Sequence, residues 1–328
     1  MEPNTTVPMS PVAPVAPVAP VAAVASLPGP ISLFRSAWDL FKTHWKMIVY
    51  IVAVPTVLSL IGQIMVMFKS PLWLIIGTLL SLVGIVMSIA MEGAVINAVH
   101  RFTTEPGVQL TLKGQYKIGF GFFWSVILLS IMQGLIIMGS GILLIIPAII
   151  VGVYIGMALF ARIIDGKKGF AAFLTSFGLI KGRWWAVFGR ILFLMLFYIV
   201  SSLIVGGIYL IIKSILGFSS DSDGATIVSL VCNWLLSLII GSMALVYMYK
   251  LYMSLRSLTS VEVPSSGFKK WLVAFIIIGI IAVPLMIVAM TFIMKIQPSA
   301  IEGATQSLIL EDLDSSELEI DFGASEPI

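Results

Sequence analysis

Residues 120–161 read FGFFWSVILLSIMQGLIIM–GSG–ILLIIPAIIVGVYIGMALFA, with no charged side chain from end to end. Each half is about as long as the ~20 apolar residues that cross a bilayer as a helix. The halves are separated only by Gly139-Ser140-Gly141, which predicts a tight turn and hence a helical hairpin inside lipid. The rest of the chain agrees. Of its 328 residues 59% are hydrophobic and 11% charged, and the mean hydropathy is +1.09. A soluble domain carries about 25% charged residues, so a water-soluble globule is excluded.

Five further apolar runs flank this hairpin. Together the seven lie at about 47–68, 72–99, 120–138, 142–161, 190–212, 227–250 and 271–294. Pro55, Pro147 and Pro284 fall inside spans, where proline is tolerated and kinks a helix. With the N-terminus in the cytoplasm, 16 of the 19 basic residues lie on the cytoplasmic side. Lys69, Lys213 and Lys295 are the other three. This asymmetry predicts a multi-pass protein of the inner (cytoplasmic) membrane with its C-terminus outside. The first residues lack a basic region followed by a short apolar core, so insertion through the first span is expected.

Both ends differ from the middle. Residues 1–29 repeat Pro-Val-Ala, with prolines at 11, 14, 17 and 20, and read as a disordered polyproline II spacer. Residues 296–328 hold half of the chain's 16 acids and no base. They read as an acidic disordered tail. The transmembrane domain is therefore expected over 30–295.

An internal repeat organises the spans. Trp38-Asp-Leu-Phe-Lys-Thr-His-Trp45 aligns without gaps on Phe177-Gly-Leu-Ile-Lys-Gly-Arg-Trp184, and more weakly on Tyr116–Phe123. Each copy leads into a span. The expected architecture is all-α: a polytopic helical bundle of about seven spans, as three interfacial-helix-plus-hairpin units and one extra span. In the first copy Leu33, Phe34, Ala37, Trp38, Phe41 and Trp45 share one helical face, and Arg35 and Asp39 form an i,i+4 pair opposite. That pattern predicts a helix lying in the membrane interface, with Trp38, Phe41 and Trp45 as anchors. Trp184 and Trp185 are the anchors of the second copy, where Lys181 falls on the apolar face and must snorkel or find an anion.

The stretches Ile145-Ile-Pro147-Ala-Ile-Ile and Ala172-Phe-Leu-Thr-Ser176-Phe-Gly-Leu-Ile-Lys181-Gly182-Arg-Trp184-Trp185 resemble the membrane-domain family of glycerophosphoryl diester phosphodiesterases. The opening Phe34-Arg-Ser-Ala-Trp38-Asp-Leu-Phe-Lys42-Thr-His-Trp45 is similar to that family's first interfacial helix. The resemblance spans roughly residues 30–270. It implies a prokaryotic multi-pass membrane domain that sometimes accompanies a catalytic phosphodiesterase, with no defined activity of its own.

Little chemistry is legible. A phosphodiesterase barrel needs about 250 residues of strands and helices, which this pattern lacks. The two histidines, His44 and His100, have no partner at metal-ligand spacing, and Cys232 is the one cysteine. No phosphate loop or nucleophile elbow is present. No enzyme activity, cofactor or metal is expected, and nucleic acid is not expected as a partner. Glu92 is the one acid within a span, followed by Asn97 and His100. An intramembrane carboxylate marks a candidate site; where its role is structural, it is expected to be protonated or paired with an arginine of a neighbouring helix, for instance Arg101 or Arg162. Glu92, Asn97, His100 and Lys181 are the candidate functional residues. The leading expectation is a non-catalytic scaffold or regulatory domain, in contact with the lipid bilayer and with a protein partner or lipid headgroups at its interfacial helices. The alternative is a transporter of a small solute or lipid with Glu92 in the pathway. It requires polar side chains around a common cavity, for which Gln63, Gln133 and Asn233 are the remaining candidates within spans.

Overall fold

The computed structural model describes residues 27–219, 222–259 and 267–292. The Pro-Val-Ala repeat and the acidic tail lie outside the described residues. Helices α2 (Pro71–Thr104) and α3 (Leu112–Leu143) are unbroken rods, and α1 (Pro30–Val66) is a long helix bent at His44. The fourth span is split into α4 (Ile145–Ile155) and α5 (Ala158–Ile163), followed by the short α6 (Phe170–Ile180). Next come α7 (Trp184–Ile215), α8 (Asp223–Leu236) and α9 (Ser242–Leu258), the last two joined by a π-helical turn at Ser237–Gly241. The last described helix, α10, is Gly267–Phe292. Among the described residues, seven helical segments are long and apolar enough to cross a membrane. The chain is an all-α, multi-pass membrane protein. Outward-facing Leu, Ile and Val cover it as lipid requires, since helices alone satisfy their own backbone there.

Close packing rests on small residues, because lipid offers no hydrophobic gain for helix association. α1 and α2 meet along Gly62, Gly77 and Gly84, with the Ser59 and Ser81 side chains filling the seam. α2 and α3 meet where Gly93 faces Gly119. α9 runs through the middle of the bundle, with Tyr247, Tyr249 and Tyr252 fully buried. α7 lies at the margin, with only Val187 and Arg190 buried along its length.

The repeat is visible in the backbone. α1 leaves helical geometry at His44 (φ −118°, ψ 16°). The aligned residue of the second copy, Arg183, ends the α6–α7 connection with φ −130° and ψ 20°. Each copy is a short helix, a break at the same aligned position, and then a span. In the second copy the break is wider, because Gly182 takes φ +80°. The third copy is corrected: Tyr116–Phe123 lies inside the unbroken α3, so the middle unit has no separate interfacial helix.

Four other expectations are corrected. The turn of the 120–161 hairpin is at Leu144, which is extended (φ −174°, ψ 155°), and Gly139–Gly141 continue α3. Gly139 is instead a packing residue, since a Cβ there would overlap the Phe275 carbonyl of α10. Pro147 sits in the first turn of α4, where its missing N–H costs nothing. Phe41 is 6% exposed and packs into the core with Leu33 and Ala37, so it is no headgroup anchor. The helix lies against the bundle by that face and turns Trp38 and Trp45 outward. Arg35 and Asp39 form no ion pair. The ion pairs among the described residues are Arg101–Glu105 and Arg256–Asp165.

Candidate functional site: a polar cavity inside the bundle

Pro55 has no N–H to offer the Ile51 carbonyl four residues earlier. The buried Tyr116 hydroxyl of α3 donates to that carbonyl at 2.6 Å. From Pro55 onward α1 lines an open cavity of about 240 Å³ between α1, α2 and α8, with Gln63, Asn233 and Ser237 exposed at its rim. Pro55, Thr56, Ser59, Leu60 and Gln63 come from α1, and Ser88 from α2. Leu230, Asn233 and Trp234 come from α8, and Ser237 from the π turn. Six of these ten side chains are polar and Trp234 adds an indole N–H, in helices otherwise dominated by Leu, Ile and Val. Two of the expected polar residues, Gln63 and Asn233, are brought together here. Gln133 is not among the lining.

The hydrogen bonds of these groups are unevenly used. Thr56 donates to Val52 O at 2.9 Å and Ser88 to Ile85 O at 2.7 Å. The Asn233 amide donates to Ser229 O at 2.9 Å. The Trp234 indole N–H is buried without a partner. Gln63 has no hydrogen bond among the described residues. A π turn such as Ser237–Gly241 widens a helix locally and recurs at functional sites. Here it supplies Ser237 to the wall.

Toward the basic end a broken column of polar groups recurs along α2 and the sixth span, joined between the two at His100 and Tyr249. Ser88 and Ser237 share the cavity. Twelve residues further along both chains, His100 Nδ1 lies 3.1 Å from the Tyr249 hydroxyl. The two helices are therefore in parallel register over this stretch, and Glu92 stands at the level of the π turn. Glu92 is half-buried and follows Ser88 by one helical turn on nearly the same face. The cavity lining ends at Ser88, one turn short of Glu92. Glu92 has no ion pair or hydrogen bond among the described residues. Arg101 and Arg162 are both occupied elsewhere, which corrects the arginine-paired form of the structural reading. Arg101 pairs with Glu105 at 2.7 Å. Arg162 donates to Ser125 Oγ at 2.9 Å and lies over the Phe122 ring at 5.4 Å. The Asn97 side-chain oxygen is buried without a partner.

The column closes in a tight polar cluster. The Tyr252 hydroxyl donates to Asp165, whose other oxygen lies 2.9 Å from Arg256. Sequence reasoning missed Tyr249, Tyr252, Asp165 and Arg256. Three tyrosines within six residues of an apolar run were the available signal, since a tyrosine inside a span needs a partner for its hydroxyl.

The remaining candidates are structural or exposed. Lys181 caps α6 outside the helix (φ −52°, ψ 128°) and is exposed, so its conflict with the apolar face does not arise. Ser176, buried at 0%, donates to Tyr154 O at 2.6 Å and accepts the Met157 N–H at 3.1 Å, stitching the break between α4 and α5. Trp184 donates to Ile150 O at 3.2 Å and stacks on Phe188, while Trp185 is 78% exposed. No group of three His, Cys, Asp or Glu side chains suited to a metal occurs among the described residues. No family model, curated protein or solved structure matches the chain.

Proposed function

We propose that the protein is a membrane-embedded carrier for a small, uncharged, hydrogen-bonding solute, with the cavity between α1, α2 and α8 as its binding site. The observation that carries this reading is the convergence of six polar side chains and the Trp234 indole on one cavity, with the Trp234 N–H buried without a partner and the Gln63 amide exposed at the rim without a hydrogen bond among the described residues. Unsatisfied polar groups in hydrocarbon are costly, so such a lining calls for water or a polar guest. The lining carries no formal charge, which selects against ions. On this reading the basic end faces the cytoplasm and the cavity opens in the outer half of an inner-membrane protein. Glu92 and the His100–Tyr249 pair lie on the inward path, and the solute passes without chemical change.

Thiol labelling tests this. In a Cys232→Ala background, Ser59→Cys and Ser237→Cys should react with a membrane-impermeant maleimide added outside intact cells. Labelling only by a lipophilic maleimide would mean that the cavity opens to acyl chains, and the carrier reading would fail.

The scaffold reading is favoured by one feature, the marginal α7, whose long apolar surface is free for a protein partner as well as for lipid. The resemblance to the phosphodiesterase membrane domains supports the same reading. The Ile145-Ile-Pro147 start of α4 and the Ser176 stitch give two of the residues behind it structural roles. Photo-cross-linking from Leu203 and Ile211 to a discrete protein in cells would support this second reading.

A further inference from the structure

A second cavity, of about 490 Å³, lies at the basic end, where α1 bends from its interfacial part into its span. It is within the usual range of small-ligand sites, roughly 300–1,000 Å³. The bend residue His44 stacks face to face on Phe102 of α2, with ring centroids 3.9 Å apart and planes 10° apart. This stack fixes the bend and forms one wall. Trp45 and Lys46 of α1 and Gln109 of the α2–α3 connection line the rest.

The chemistry of this lining is that of an anion site at headgroup depth. Lys46 is the one charged side chain in it, is exposed, and has no partner among the described residues. Glu105, the acid of the adjoining connection, is engaged by Arg101, whose guanidinium hydrogen bonds hold its carboxyl below the usual range. The His44 ring and the Gln109 amide have no hydrogen bonds among the described residues, and the single N–H of a neutral His44 imidazole and the Gln109 amide N–H can donate to phosphate oxygens. Trp45, 47% exposed, and Trp38, 44% exposed, turn indoles outward, as residues at the membrane–water boundary do.

The internal repeat sharpens the point. At the equivalent bend of the second copy Arg183 stands where the first copy has His44. It is held by two hydrogen bonds, donating to Thr259 Oγ1 at 2.6 Å and to Leu258 O at 3.3 Å. Trp185 replaces Lys46. The second bend is locked by the protein itself, whereas the first keeps its cation and donors free.

We propose that the bend cavity binds the phosphate group of an anionic membrane lipid, with Lys46 as its counter-charge and His44 and Gln109 as donors. This inference is independent of the carrier reading.

Native mass spectrometry of the full chain, released from detergent and titrated with phosphatidylglycerol, phosphatidylcholine or inorganic phosphate, tests it. The intact protein should retain phosphatidylglycerol in preference to phosphatidylcholine. Lys46→Glu should weaken that binding about five-fold or more, as one cation near an anionic surface implies, and the milder Lys46→Gln should reduce the preference. Lys42→Glu makes the same charge change outside the cavity and should leave it intact. Equal retention of the two lipids, or equal loss in the Lys42 and Lys46 variants, would overturn the site. Competition by inorganic phosphate at concentrations matching the lipid would overturn the lipid as its source.

Discussion

The Tyr116 hydroxyl donates a 2.6 Å hydrogen bond to the Ile51 carbonyl, the group that Pro55 deprives of its helical partner. A buried side chain of the third span thus repairs a break in the first, beside the polar cavity. Tyr116→Phe should destabilise the protein by about 1 kcal/mol, in line with measured interhelical hydrogen bonds in membranes. Pro55→Ala restores an N–H to the same carbonyl, and in that background the Tyr116→Phe penalty should shrink toward zero. A double-mutant cycle on reversible unfolding in mixed micelles measures the coupling. Additive effects would show that the tyrosine acts elsewhere.

Ser176 does the same work for the fourth span. It serves both sides of the α4–α5 break, so Ser176→Ala leaves the Met157 N–H and the Tyr154 carbonyl without it. The expected loss is about 1–2 kcal/mol, and Ser176→Thr, which keeps the hydroxyl, should lose less. The same unfolding assay distinguishes them, and an Ala variant as stable as the parent would contradict the stitch.

The seven spans are legible in the sequence because lipid imposes one rule on every residue of a span, and apolar length records it directly. The repeat is legible for a related reason: its break residues, His44 and Arg183, lie next to conspicuous tryptophans. The site is not legible in the same way. Tyr116 and Pro55 are 61 residues apart in the chain, and neither carries a local mark of the other. Gln63 and Asn233 stand out as polar residues in spans, but their meeting depends on how three helices lean. Gly139 reads in the sequence as part of a turn, and only the position of α10 reveals it as a close contact.

That contact gives a further prediction. A Cβ on Gly139 would overlap the Phe275 carbonyl, and one on Gly279 would overlap the Leu135 carbonyl, so both glycines seat α10 on α3. Gly139→Ala and Gly279→Ala should each cost roughly 1–3 kcal/mol, as overpacking does. The double variant should cost less than the sum, because one displacement relieves both clashes. Gly134 lies on the same helix and meets nothing within 4 Å. Gly134→Ala should therefore be neutral or stabilising. Equal losses at Gly134 and Gly139 would point to helix flexibility in place of packing.

The orientation proposed from the basic residues is checked with reporter fusions. Seven spans put the two chain ends on opposite sides, so reporters at Ser10 and Ala324 should respond oppositely, with Ser10 cytoplasmic. Both reporters on one side would remove one span from the membrane, α10 being the first to question, because it comes last and lies outside the repeat.

Glu92 decides whether the polar column belongs to the path. It stands one turn beyond Ser88, the end of the cavity lining, and neither Arg101 nor Arg162 pairs with it. A carboxylate with no partner contributes nothing to stability that glutamine would lose, and its desolvation is a cost that glutamine lacks. Glu92→Gln should therefore leave the melting temperature unchanged or raise it. On the carrier reading it should also slow the glycerol-driven swelling of proteoliposomes by several-fold, because a carboxylate accepts from two solute hydroxyls where the amide oxygen offers a single acceptor group. Lys42→Glu, on the exposed face of the interfacial helix, is the control and should swell like the parent. A Glu92→Gln protein that melts lower yet swells at the parental rate would return Glu92 to a structural role and end the column's claim as a path. A variant that melts as the parent does but no longer passes glycerol would tie the one carboxylate placed within a span to movement through the bundle.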